Sequence, residues 1–281
     1  MEKLLNEFDI YIDKELGKSL NTRLSYMRDL RQAVSWLQEQ GISHISQVGS
    51  SELTGYIEHL KEENKSPSTV SRNIASLKLF FTFAFQKGHI FNNPAEGLKA
   101  PKVIRKTPKV VDDGDISRLL DAPDVSTLRG IRDKAMLDLL MSTGMRVSEL
   151  IGLHRSDINF RKKTVRITGS GDRERKVPVD ARTIGSLQDY DLIARNQLIG
   201  SKEDEDIFFV SCQGEQMTRQ GFWKNLRKYG KEAGIEQEIT PHMLRHSFAV
   251  YSLRKGEDIH VLQSIMGHSD IASTNEYNAL L

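Results

Sequence analysis

Cysteine is almost absent. Cys212 stands alone in 281 residues, which excludes an internal disulfide and the small secreted scaffolds that rely on them, and fits a reducing cytosol. Long apolar runs are absent too: none approaches the ~18 residues of a membrane span. The opening Met1-Glu2-Lys3-Leu4-Leu5-Asn6-Glu7 is acidic and amphipathic, unlike a signal peptide. Net charge is only +2, so the overall balance names no class of partner. What remains is 38% apolar and 28% charged residues, a globular mixture long enough for two domains.

The charge is unevenly placed. Residues 1–110 hold 16 Lys/Arg against 12 Asp/Glu, and the rest hold 24 against 26. Lys99, Lys102, Arg105, Lys106 and Lys109 fall close together with no acid among them. Such a run tracks a phosphate backbone or is a solvated linker, and charge does not choose between these.

Apolar spacing of three and four predicts helices over the first part of the chain: Glu2 to Leu16, a second with Leu24, Met27, Leu30, Val34 and Leu37, a third from Ser50 to Glu63, and a fourth capped by Ser66 with Pro67 in its first turn. The fourth carries the stripe Val70, Ile74, Leu77, Phe81 and Phe85, a core face, leaving Lys65, Ser68, Arg72 and Lys78 opposite it for any nucleic acid. Pro94 and Pro101 then break the pattern. The expected division is a helical domain at 1–97, a basic linker at 98–110 and a second domain at 111–281.

In the second domain helices are expected at 113–120, 127–141 and 146–153, then short strands at 159–160, 164–168 and 176–179, the last two joined by the Gly169–Asp172 turn. Further helices follow at 181–196, 219–233, 241–255, 259–266 and 271–279, with a strand at 207–210. The fold class is mainly α with one small antiparallel sheet.

Five polar residues of this domain form a set. Arg146 follows Thr143-Gly144-Met145, with Glu149 one turn on. His242 and Arg245 share a helical face. His268 follows Met266-Gly267, and Tyr277 comes nine residues later. Singly, each has an ordinary structural explanation. His242 and His246 sit at i, i+4 but lack the glutamate of the zinc motif, so no metal is expected. Together, Thr143–Leu150, Thr240–Phe248 and Met266–Asp270 with Tyr277 resemble the tyrosine recombinases, or phage-type integrases, and among them the Xer-like members. Asn21-Thr22, Tyr26, Asp29-Leu30 and Asn93-Pro94-Ala95 extend the resemblance to the core-binding domain, so it covers essentially the whole chain.

The resemblance implies a two-domain DNA clamp that cuts and rejoins strands through a 3′-phosphotyrosine, without cofactor. Arg146 and Arg245 would hold the phosphate, as planar guanidiniums do well. Tyr277 would be the nucleophile, His242 its base, His268 a donor to the phosphate, and Glu149 a support. Partners would be a duplex with an inverted-repeat site and further copies of the chain, a dimer on one site and a tetramer on two, with a second recombinase or accessory DNA sites left open. Arg219, Gln220, Lys224 and Arg227 would contact DNA beside Lys65, Arg72, Lys78, Lys102, Arg105 and Lys106.

Two departures stand out. The family places an acidic-proton-donating lysine in the hairpin turn, where this chain has Ser170, a poor general acid. Arg173 or Lys176 reaching in, a slow enzyme with another acid, and a deliberate substitution all stay open. Only four residues follow Tyr277, where family members often carry a segment that docks on a neighbour. Two other readings are a non-cutting DNA binder of the same fold and a relative of type IB topoisomerases or telomere resolvases.

Overall fold

A computed structural model describes residues 1–102, 107–169, 173–202, 206–268 and 270–281. The chain divides into two compact units, Met1–Lys106 and Thr107–Leu281, so the division falls within the stretch read as a linker. Among the described residues no helix is long and apolar enough to cross a membrane.

The first unit is built of α1 (Glu2–Lys14), α2 (Leu20–Glu39), α3 (Ser50–Glu62) and α4 (Pro67–Gln86). Ser66 Oγ accepts from the Thr69 amide at 3.2 Å and starts α4 where Pro67 has no amide to waste. Its core joins Phe8 of α1 edge-on to Phe80 of α4 at 5.3 Å. Two stripe residues leave that core: Leu24 is 60% exposed and Phe85 49%. The buried arc of α2 runs through Ala33 and that of α4 through Phe80 and Ala84, so the helical period turns the first residue of one stripe and the last of the other outward.

Arg72 is paired with a buried carboxylate. Its Nε and Nη2 donate to both oxygens of Asp29 at 2.7 and 2.8 Å, and Asp29 is 2% exposed. The side chain expected to face a duplex is a strut between α4 and α2. Lys65 lies 3.4 Å from Glu63, Lys78 is half-buried and Lys102 is exposed. Arg105 and Lys106 lie outside the described residues.

The second unit turns on α6 (Leu128–Thr143), which is buried nearly all round. It follows α5 (Asp113–Asp121) and precedes α7 (Val147–Ile151). Its charged residues are inside only as partners: Arg132 Nε donates to Asp133 Oδ1 at 2.9 Å, and Tyr229 donates to Asp133 Oδ2 at 2.8 Å. A sheet of β1 (Ile158–Asn159), β2 (Thr164–Thr168) and β3 (Glu174–Pro178) is antiparallel in that order. Its register pairs Val165 with Val177 and Ile167 with Arg175.

The expected helix 181–196 is α8 (Ala181–Asp189), a π-helical turn Tyr190–Arg195 and α9 (Asn196–Ile199). The expected strand at 207–210 is reduced to isolated bridges of Ile207 with His154 and Val210 with Gln216. Side chains take several of its backbone groups instead. Tyr190 Oη donates to the Phe208 carbonyl and accepts from the Val210 amide, both at 3.0 Å, and Arg195 Nη2 donates to the Ile207 carbonyl at 2.7 Å. The chain then forms α10 (Arg219–Glu232), α11 (Pro241–Arg254), α12 (Ile259–Met266) and α13 (Ala272–Asn275), which tightens into a 3₁₀ turn over Glu276–Leu280.

Removing one member of the strut at Asp29 leaves a buried charge unpaired. Arg72→Ala is expected to destabilise the chain by about 3 kcal/mol, read as a lower urea midpoint. An unchanged midpoint would return Arg72 to the solvent-facing role.

Candidate active site

Two helix ends and one helix start build the site. α6 closes on Gly144 in the left-handed region, φ 57°, where a Cβ would collide with the Phe248 ring. Met145 is then buried, and Arg146 becomes the extended N-cap of α7. Glu149, three residues on, turns back to accept from the Arg146 amide at 2.7 Å.

The same carboxylate gathers two guanidiniums. Arg146 Nη1 donates to Oε1 at 3.1 Å. Arg175 of β3 forks onto Oε1 and Oε2 at 2.9 and 2.8 Å, and its Nε donates to the Ile265 carbonyl at 2.7 Å. Burial alone would raise the Glu149 carboxyl, but the hydrogen bonds from Arg175 and the Arg146 amide outweigh it and hold it below the usual range.

Arg245, on α11, is 6% exposed. It is fixed by helix-end carbonyls, which have no partner within their own helices. Nη1 donates to the Gly144 carbonyl through a short bond, and Nη2 donates to the Met266 carbonyl at 2.7 Å. Burial, followed by repulsion from Arg146, lowers its pKa to about 10, so it stays charged at neutral pH. α12 ends on left-handed Gly267, whose carbonyl receives Arg146 Nη2 at 3.5 Å. A Cβ there would meet Arg175 Nη1 at 2.9 Å.

Next in the chain, His268 Nδ1 is 2.9 Å from the fully buried Thr274 Oγ1. Burial first, then Arg245 and Arg146, push His268 down to about 4. Tyr277 is 3% exposed, packed with Phe248, Val250, Leu262 and Met266. Its ring lies 6.4 Å from His268, nearly parallel, and 5.5 Å from His246. The hydroxyl is 2.9 Å from His246 Nδ1. Burial raises its pKa, against the pull of Arg245.

The structure thus gathers Arg146, Glu149, Arg245, His268 and Tyr277. It adds Arg175 and His246, which sequence reasoning did not select. The strand period held the signal for Arg175: it faces the same side as buried Val177, two residues on. That alternation sends Lys176 to the opposite, exposed side. His246 lies one turn beyond His242, whose own ring is exposed and stands 6.5 Å from that of His246. Tyr277 therefore meets His246, not the expected His242. Arg173 is exposed, its carbonyl accepting from the Gly169 amide at 2.9 Å. Ser170 lies outside the described residues. On α10, Arg219, Gln220 and Lys224 are exposed, whereas Arg227 pairs with Glu238 and lies over Trp223 at 5.2 Å.

Two guanidiniums share one carboxylate, a third, that of Arg245, is held by helix-end carbonyls, and a buried tyrosine stands beside them. That is the equipment of an enzyme that breaks and rejoins DNA strands through tyrosine. Comparisons with known proteins agree. The phage integrase family matches residues 109–281, and the phage integrase N-terminal SAM-like domain matches residues 5–88. The chain is 37% identical over 278 residues to the tyrosine recombinase XerD of Listeria monocytogenes serotype 4b (strain F2365), covering 99% of this chain and 94% of that one. It is 36% identical over 277 residues to that of Staphylococcus aureus (strain Mu50), with the same coverage. Among solved structures, the XerH recombinase in a post-cleavage complex with a palindromic difH substrate gives a TM-score of 0.75 at 20% identity, covering 99% of this chain and 91% of that one. A lambda integrase dimer on a COC′ core site gives 0.75 at 16%, covering 99% and 94%. This chain belongs to the phage integrase family, the tyrosine recombinases, and is a site-specific DNA recombinase.

The low His268 value has a consequence for stability. Between its ordinary 6.5 and about 4, the unfolded chain binds a proton that the folded chain refuses, so stability falls as pH drops through this window. NMR titration of the His268 ring is expected to give a midpoint near 4, and His268→Asn to flatten the loss of stability over that range. A midpoint at the ordinary value would refute the arrangement.

Proposed function

We propose that Arg146 and Arg245 hold the scissile phosphate, that Tyr277 attacks it, and that His268 donates to a non-bridging oxygen. One observation carries this reading: residues from α6–α7, α11, α12 and the C-terminal turn meet at one place with more guanidinium than carboxylate charge. Fixed positive charge at the phosphate stabilises the pentacoordinate state, usually the largest catalytic contribution. If Thr274 donates to His268 Nδ1, the remaining proton sits on Nε2, ready for the phosphate. Exposed His242 shares its helix face with Arg245 and serves the same oxygens. Glu149 and Arg175 hold Arg146 in place and do not touch substrate.

The family's lysine position, which would protonate the departing 5′-oxygen, is Ser170 here, a poor acid. The substrate is a duplex with an inverted-repeat site, bound by two copies, with two such dimers pairing for exchange. We place this chemistry on the nucleoid, in the bacterial cytoplasm. A second recombinase or accessory sites would add to this assembly without altering the pocket. On the exposed face of α10, Arg219, Gln220 and Lys224 contact DNA, with Lys102 of the basic stretch.

The test uses a pool of nicked duplexes randomised around an inverted-repeat frame, in which the cut fragment diffuses away and a covalent adduct accumulates. A denaturant-resistant band is expected, lost in Tyr277→Phe. Ser170→Lys is expected to raise its rate of formation by up to about 10²-fold. Sequence-specific binding with no band in any variant would leave a non-cutting DNA binder. Relaxation of supercoiled DNA lacking any site would favour the topoisomerase-like reading.

Lys224 tests the binding face separately. Loss of one phosphate contact in Lys224→Ala is expected to reduce the salt slope of binding by about 1. An unchanged slope would make this face a solvated one.

A further inference from the structure

Resting on the reading that Tyr277 attacks the phosphodiester, we infer that His246 takes the proton from its hydroxyl. Three observations carry this. First, His246 Nδ1, at 2.9 Å, is the hydrogen-bonding partner of the Tyr277 hydroxyl among the described residues. A buried phenol needs an acceptor, because leaving its proton unpaired is costly. Nδ1 therefore accepts, and the imidazole keeps its proton on Nε2.

Second, the surroundings keep His246 ready to accept. It is faced by His242 and Arg245 from α11, by His268 after α12, and by Glu276 and Tyr277 from the C-terminal turn. Burial first, then His242 and Arg245, hold its pKa below the ordinary value, with Glu276 opposing. At neutral pH the ring is uncharged. Third, the alternative acceptor is poorly placed: His242 is exposed at the start of α11, a full turn before His246.

The step balances. The Tyr277 O–H bond breaks and its proton passes to His246 Nδ1, giving an imidazolium. The phenolate oxygen bonds to phosphorus, the P–O5′ bond breaks, and the 5′-oxygen takes a proton from water. On rejoining, a 5′-hydroxyl gives its proton to water as it attacks, the P–O bond to Tyr277 breaks, and the phenolate recovers its proton from His246.

The experiment uses the full chain and a duplex selected from the randomised pool, resynthesised with sulfur at the 5′-bridging position of the scissile phosphate. A thiolate leaves without a proton, so the rate reports the nucleophile side alone. Covalent adduct formation is followed in single turnover from pH 5 to 9. In the native chain the rate is expected to fall towards low pH as His246 protonates. His246→Asn keeps an acceptor oxygen near Nδ1 but takes no proton. It is expected to cleave about 10²–10⁴-fold more slowly and to lose that limb. Added imidazole is expected to restore part of the rate in His246→Ala, and both variants to bind the duplex as the native chain does. Native rate and pH profile in His246→Asn would overturn the inference and reduce the hydrogen bond to a positioning contact. Loss of the limb in His242→Asn with its retention in His246→Asn would move the base to His242. Absence of any adduct in the native chain would instead overturn the role of Tyr277, and this inference with it.

Discussion

The carboxylate of Glu149 is the joint on which the pocket depends. It accepts from the Arg146 amide, from Arg146 Nη1 and from both arms of Arg175. Through these bonds it ties the start of α7 to β3, and Arg175 carries the tie on to the Ile265 carbonyl of α12. Three elements distant in sequence are brought to one point by one anion. Burying that anion is tolerable because four donors satisfy it.

Arg245 makes the second tie by a different physical means. Among the described residues it has no carboxylate partner; it lies on the carbonyls at the ends of α6 and α12. Helix C-termini carry partial negative charge, enough to hold a cation without neutralising it. The pocket therefore keeps positive charge that the protein does not cancel. Such uncancelled charge is costly to fold. The depressed pKa values of Arg245, His246 and His268 share the same cause, burial beside other cations.

Much of the fold was legible along the chain. The Ser66-Pro67 start of α4, the Thr127 cap and Gly144 end of α6, and α12 from Ile259 to Met266 follow from local rules of capping and left-handed glycine. Legibility stopped where side chains from elsewhere intervened. Residues 207–210 have a strand's composition, but Tyr190 and Arg195 bind their backbone and no ladder forms. Arg72 sits opposite the apolar stripe of α4 like any surface cation, and only the position of Asp29 on α2 makes it a strut.

The same line runs through the active site. The residue types of Arg146, Arg245, His268 and Tyr277, and their spacing on separate helices, are properties of the sequence. So is the absence of a lysine at position 170. Which histidine meets the tyrosine is not. His242 and His246 are one turn apart on the same helix, and local rules treat them alike. The docking of the C-terminal turn against α11 decides between them, because a hydrogen bond needs two atoms within about 3 Å, and only the tertiary fold sets that distance.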